Sequence, residues 1–288
     1  MCQCRFLSEA QFPQIAKTFD EAFADYHLKS RVSAKEWLYN RGVKNAVEYD
    51  YSVGAFDGER MVGFTLVGID NWLGQLAAFD AGTGIIPDYR GRGLAKGMFD
   101  FAVPKLRERG VGQFLLEVLQ VNEAAIKAYR KAGFQITREF DCLALEYRNF
   151  KVAKSLAIDP QIRPIPKKEV ASFSEFADWQ PSWENSFASI ARIPDEVVIN
   201  GAYVDGEPVG LFVYYPLLNW IMSLVVKRAF RRKGIATVLL AKFMESFDSD
   251  VSKISLVNVD HSDTGMLGFL EKMGFVEFTR QYEMELDL

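Results

Sequence analysis

The chain has 288 residues, 49% of them hydrophobic and 25% charged, with a formal net charge of −4 and an isoelectric point near 5.5. That length suits one large domain or two of ordinary size, and the acidic balance argues against nucleic acid or an anionic membrane as a partner. No apolar run approaches the roughly 20 residues that cross a bilayer, and the N-terminal MCQCRFLSEAQF lacks the apolar core of a signal peptide, so a cytoplasmic protein is expected. Cys2, Cys4 and Cys142 are too few for a disulfide framework. His27 and His261 stand apart without zinc-ligand spacing, so no metal site is expected.

From the N-terminus, Phe12, Ile15, Phe19, Phe23 and Tyr26 recur at helical spacing and predict an amphipathic helix. AFDGERMVGF reads as a β-hairpin turning at Asp57-Gly58. The apolar stretch AAFDAGTGII predicts a strand in which Gly82 and Gly84 point to a bulge or a close backbone approach. PDYRGRGLAKGMF is a loop entering a helix that runs to Arg109 and stops at Gly110, with Pro104 expected to kink it or open one backbone bond. Strand QFLLEVLQV, a helix from Asn122 to Ala132 and a strand CLALEY complete the order.

The same order then returns. Arg231, Gly234, Ala236 and Gly274 each lie 141 positions after Arg90, Gly93, Ala95 and Gly133. One offset shared by four positions indicates a duplication, and so long a period makes each copy a domain rather than a solenoid repeat. EVVINGAYVDGEPVGLF repeats the hairpin, and NFKVAKSLAIDPQIRPIPKKE, with three prolines, reads as a linker. Strands with helices between them argue an α/β fold, partly antiparallel because of the hairpins.

Glycines just before a helix let a phosphate approach the unpaired N–H groups of its first turn. Arg90 and Arg92 would add charge-assisted bonds; a solvated turn with two surface arginines is the competing reading. The Walker pattern is absent, because neither copy has Lys-Ser/Thr after its last glycine. Gly91, Gly93 and Gly97 imitate a dinucleotide fingerprint, but Lys96 occupies the place of its third glycine. What both copies keep is Arg-x-x-Gly-x-Ala.

On IIPDYRGRGLA and LLEVLQVNEAAIKAYRKAGF, the first copy resembles the GCN5-related N-acetyltransferases (GNAT). The second segment is similar in particular to the ribosomal-protein alanine acetyltransferases. The resemblance covers most of residues 1 to 147 and is fainter in the second copy, chiefly in its loop and KMGF. It implies two tandem GNAT-like α/β domains, each a mixed, mostly antiparallel sheet flanked by helices: a catalytic domain at 1–147, a linker at 148–168 and a degenerate domain at 169–288. The implied activity is acetyl transfer from acetyl-CoA, as co-substrate, to a primary amine by direct attack. The resemblance also implies that pantetheine bonds to the backbone at Gly84, Ile85 and Ile86. It assigns the phosphates to Arg90, Gly91, Arg92, Gly93, Leu94, Ala95 and Lys96, and gives Asn122 a second role on the co-substrate beside that of an N-cap.

Direct attack makes its own demands. An alkylammonium of pKa roughly 10.4 must lose a proton first, and a departing thiolate near 8.5 gains from a proton donor. Glu117, a carboxylate in an otherwise apolar strand, is the first candidate for the base, through a water; an outward-facing strand residue is its plain reading. Asp80, on the strand before the loop, is the rival base. Tyr129, four residues before Gly133, stands where the resemblance places the general acid, though a helix aromatic in the core would look the same. A free N–H at the bulge would also polarise the thioester carbonyl.

The offset puts Leu270 at Tyr129, Asn258 at Glu117 and Asp263 at Asn122, with no glycine at the bulge, so the second copy is expected to be catalytically silent. It keeps Arg231, Arg232, Lys233 and Gly234, which would suit a pyrophosphate. FADWQPSWENSF receives no role. The acceptor is expected to be a small-molecule or peptide amine, and a homodimer stays open. An acyl-CoA-binding regulatory or sensing protein without catalysis is the alternative.

Overall fold

In the computed structural model, residues 2–25, 33–151, 158–246 and 252–288 are described. The chain divides into two units, Met1–Arg138 with Tyr282–Leu288 and Glu139–Gln281. The first holds β1 (Gln3–Phe6), α1 (Phe12–Ala22), α2 (Ala34–Lys44), β2 (Val53–Asp57), β3 (Arg60–Trp72), β4 (Gln75–Ile85), α3 (Leu94–Glu108), β5 (Gln113–Leu119), α4 (Glu123–Lys131) and the beginning of β6 (Gln135–Glu146). The second holds the rest of β6, then β7 (Gln161–Pro164), α5 (Phe187–Arg192), β8 (Val198–Val204), β9 (Glu207–Tyr215), β10 (Trp220–Val226), α6 (Ile235–Glu245), β11 (Lys253–Asp260), α7 (Thr264–Met273) and the beginning of β12 (Val276–Asp287). Tyr26 and His27 fall outside the described residues. Among the described residues no helix is long and apolar enough to cross a membrane.

In the first unit the sheet runs β1-β2-β3-β4-β5, followed by the end of β12 and the beginning of β6. Strands β1 to β4 pair antiparallel, whereas β4 and β5 pair parallel across the α3 crossover. The second unit repeats the scheme, with β7-β8-β9-β10 antiparallel and β10-β11 parallel. Both are α/β units with mixed, mostly antiparallel sheets flanked by helices.

Local chemistry explains the elements. The helix signal becomes α1, with a proline in its first turn and Ile15, Ala16, Thr18 and Ala22 buried. Asp57 pairs with Arg60 across the first hairpin turn, and Asp205 and Gly206 both take positive φ in the second. Helix α3 runs past Pro104 to Glu108, because Met98, Phe99, Ala102 and Leu106 bury one continuous face on both sides of it. Gly110, at φ +85°, then ends it. Phe99, Phe114 and Phe134 meet edge to face at 5.2 to 5.5 Å beneath the sheet.

The structure departs from the expected boundaries in three places. CLALEY is the latter part of a 12-residue strand, β6, that begins in the first unit and ends in the second. Part of the expected linker forms β7, which pairs only with β8; Pro164 is tolerated there because an edge strand needs fewer N–H donors. The last seven residues belong to the first unit. Their strand lies beside β5, where Leu288 N bonds Gly112 O at 3.0 Å. Gln113 Nε2 donates to Glu285 at 2.6 Å, and Arg138 grips Glu283 with two bonds of 2.7 Å.

Glu283 is 2% exposed, so removing it would strand the Arg138 guanidinium in a poorly solvated place. Glu283→Ala is expected to cost about 3 kcal/mol in denaturant unfolding of the first unit. A loss below about 1 kcal/mol would show that the C-terminal strand is not held through this pair.

Candidate active site

The site grows out of a break in the sheet. Strand β4 pairs with β5 over Ala77–Asp80 against Gln113–Leu116, and the ladder ends there. On its other side β4 passes from Val67↔Asp80 to Leu66↔Gly82, so Ala81 is the extra residue of a bulge. The bulge is held from both sides. Arg41 Nε donates to Ala81 O at 2.6 Å. Gly82 N donates to Asp80 Oδ1 at 3.1 Å. Gly84 has no room for a side chain, since a Cβ would stand 2.9 Å from the Phe64 ring.

Both candidate bases sit at this break. Glu117 follows the last paired residue of β5 and is half-buried. Asp80 is 6% exposed and accepts from Thr65 Oγ1 at 3.1 Å and Thr83 Oγ1 at 2.8 Å besides Gly82. Burial pushes its carboxyl up to about 6, against the pull of the Thr83, Gly82 and Thr65 hydrogen bonds and the Arg41 charge.

Beyond Ile86 the chain turns through Pro87–Tyr89 into the loop. Gly91 and Gly93 take φ of +75° and +78°, which glycine adopts without strain. Gly93 is the N-cap of α3 and has no capping side chain, so the amides of Leu94, Ala95 and Lys96 open on the loop. The side chains are engaged within the unit. Arg90 Nη1 and Nη2 hold Asp25 at 2.6 and 2.9 Å, Nη2 donates to Ala22 O at 2.7 Å, and Nε donates to Ile85 O at 3.1 Å. Arg92 lies over the Tyr89 ring, 4.7 Å from its centroid, and Lys96 pairs with Asp100 at 2.5 Å. The loop therefore offers backbone donors, while Arg90 braces it against the end of α1.

Asn122 caps α4 by accepting from Ala125 N at 3.2 Å. Tyr129, on the same helix, is 8% exposed. Its ring meets Phe99 and Phe134 edge-on at 5.8 and 6.1 Å. The fold thus brings the two carboxylates, the backbone loop and α4 around one sheet break. Arg41, Thr65 and Thr83 were not singled out from the sequence; a threonine three residues after Asp80 was the only local hint.

The second unit repeats this geometry. Arg231 Nε donates to Val226 O at 2.9 Å, Nη2 donates to Phe176 O at 2.8 Å, and Nη1 reaches Asp178. Arg232 and Gly234 take φ of +61° and +93°. A bulge falls at Met222 although no glycine accompanies it. The last pair of the β10–β11 ladder is Ile221↔Leu256, so Val257, rather than Asn258, stands in the ladder place of Glu117. The difference arises from a second bulge, at Val257 and Asn258.

The sequence signature of the Acetyltransferase (GNAT) family matches residues 12–134 and 166–275. The chain belongs to this family of acetyltransferases. Streptothricin acetyltransferase of Streptomyces lavendulae is 40% identical over 83 residues, 29% of this chain and 42% of that protein. The chain thus spans less than half of that relative. The bS18-alanine N-acetyltransferase of Escherichia coli K12 is 28% identical over 111 residues, 38% of this chain and 72% of the relative. Among solved structures, a tandem GNAT protein from the clavulanic acid biosynthesis pathway superposes with a TM-score of 0.74 at 14% identity, covering 100% of this chain and 98% of that one. A GCN5-related N-acetyltransferase from Sphaerobacter thermophilus gives 0.73 at 18% identity, with 99% and 95% covered. Both similarities establish the tandem fold.

Because folding raises the Asp80 pKa, the folded chain holds more protons than the unfolded one between about pH 4 and 6. Stability contributed there falls as pH rises through that window, by up to about 3 kcal/mol. Asp80→Asn is expected to flatten this fall in denaturant titrations at pH 4 and 7. Identical pH slopes in the two proteins would contradict the burial cost assigned to Asp80.

Proposed function

We propose that the chain is an N-acetyltransferase whose first unit transfers the acetyl group of acetyl-CoA to a primary amine of a small molecule or peptide by direct attack. The observation that carries this reading is the sheet break at Asp80 and Leu116, which sets both carboxylates beside a backbone loop with uncapped amides. These residues fit a pantetheine diphosphate: the parted edge of β4 at Gly84, Ile85 and Ile86 suits amide groups, and the N–H groups from Gly91 to Lys96 suit phosphate oxygens. Asn122 stands at the adjoining start of α4. When bound, acetyl-CoA supplies a thioester carbonyl open to attack.

Glu117, half-buried at the break, takes the proton that the ammonium must lose, through one water. Asp80 is the second candidate; its three hydrogen bonds hold it in place, and its burial keeps it nearer neutrality than an ordinary aspartate. Tyr129 gives its phenolic proton to the departing thiolate, which balances the transfer. The relatives named for alanine and streptothricin acetylation support an amine acceptor.

Thiol release with acetyl-CoA and a panel of amines tests this. Glu117→Gln and Tyr129→Phe are each expected to lower kcat about a hundredfold or more, with smaller changes in KM. Glu117→Gln should also flatten the acidic limb of the rate profile. Loss of that limb in Asp80→Asn instead would transfer the base to Asp80. Tight acetyl-CoA binding without thiol release from any amine would favour a sensing protein.

A further inference from the structure

The second unit encloses a cavity of about 520 Å³ between the loop before α6, the parted strands β10 and β11, and one face of α7. Its middle is apolar, with Met222, Leu224, Leu256, Met266, Phe269 and Met273 along the walls. At one end Arg232, Gly234, Ala236 and Thr237 bring the start of α6 to the cavity. Gly234 is an N-cap without a capping side chain, so the first-turn amides open on it as they do in the first unit. Deeper in, Asn185 lines the cavity at 5% exposure. Its Nδ2 donates to Val257 O at 2.8 Å, while its Oδ1 is buried with no hydrogen-bond partner among the described residues. A buried acceptor left unmade is costly, so this oxygen calls for an N–H or O–H donor from outside the chain.

Three demands therefore meet in one cavity: an anion at the loop, an apolar stem and an amide-type donor. We propose that the second unit holds a second molecule of coenzyme A, free or acylated, and does not turn it over. The diphosphate suits the α6 amides and Arg232, the methylene runs of pantetheine suit the apolar walls, and a pantetheine amide N–H suits Asn185 Oδ1.

Turnover is blocked by side chains that occupy the break. Asn258 Nδ2 donates to Ser182 Oγ at 3.0 Å, Gln281 Nε2 donates to Asn258 Oδ1 at 2.7 Å, and Asn185 covers the Val257 carbonyl. The place that Glu117 takes in the first unit is thereby closed by the segment Ser182–Asn185, and no carboxylate stands there. Leu270, in the place of Tyr129, has no proton to give and is fully buried.

Calorimetric titration of coenzyme A into the full chain tests this site separately from the proposed activity. Thr237→Glu and Lys96→Glu place a carboxylate in the first turn of α6 and α3, where it favours the helix and repels phosphate. Wild type is expected to bind two equivalents and each variant one. In the Lys96→Glu chain, Asn185→Leu should weaken the remaining site about three- to tenfold, with the circular dichroism spectrum unchanged. A single equivalent that survives Thr237→Glu but not Lys96→Glu would overturn the second site and leave the proposed activity standing. A single equivalent lost only in Thr237→Glu would uphold the second site and overturn the first unit as the acetyl-CoA site. No binding at all would overturn both.

Discussion

Two neighbouring strands that share a ladder as far as Asp80 and Leu116 and then part leave backbone groups without a sheet partner, in a place that is largely buried. Such groups must be satisfied by something other than the sheet. In the first unit the bulge at Ala81 begins the parting, Arg41 takes the Ala81 carbonyl and Asp80 takes the Gly82 amide. The remaining edge of β4 runs directly into the glycine loop. The positions of Glu117, Asp80 and the loop amides all follow from where this ladder stops.

A second constraint keeps the loop in shape. In both units the arginine of Arg-x-x-Gly-x-Ala donates to the carbonyl five residues before it and to a carbonyl near the end of an earlier segment, and pairs with a nearby aspartate. That use explains why arginine recurs there independently of any ligand: its planar fork satisfies several acceptors at once. The left-handed turn survives even where Gly91 is replaced by Arg232, so tertiary bracing imposes a conformation that the residue alone disfavours.

The loop, the hairpin turns and the helix starts were legible because each depends on residues close in sequence: glycines at positive φ, Asp-Gly turns and the Asn122 cap. The partners of Asp80 were not, since Thr65 reaches it across a strand pair. Arg41 and Asp25 were equally hidden, because contacts between distant segments leave no local pattern. In the second copy the missing glycine suggested an unbroken strand, yet the bulge recurs at Met222, set by register rather than by a special residue. The aromatic and polar stretch from Phe176 to Asn185 had no readable role until the fold placed it along a cavity.

The sequence by itself determined the duplication, the α/β class, the glycine loops at helix starts and the loss of acid and base residues in the second copy, since these rest on residue identity and short-range spacing. Only the tertiary structure decided where the ladders end, which donors surround Asp80, and which unit receives the last seven residues. Tyr282–Leu288 lies beside β5 and far from it along the chain, held by the Arg138–Glu283 pair and strand hydrogen bonds. Strand pairing and ion pairing act through distance in space, so only the folded chain reveals which of many compatible partners is chosen.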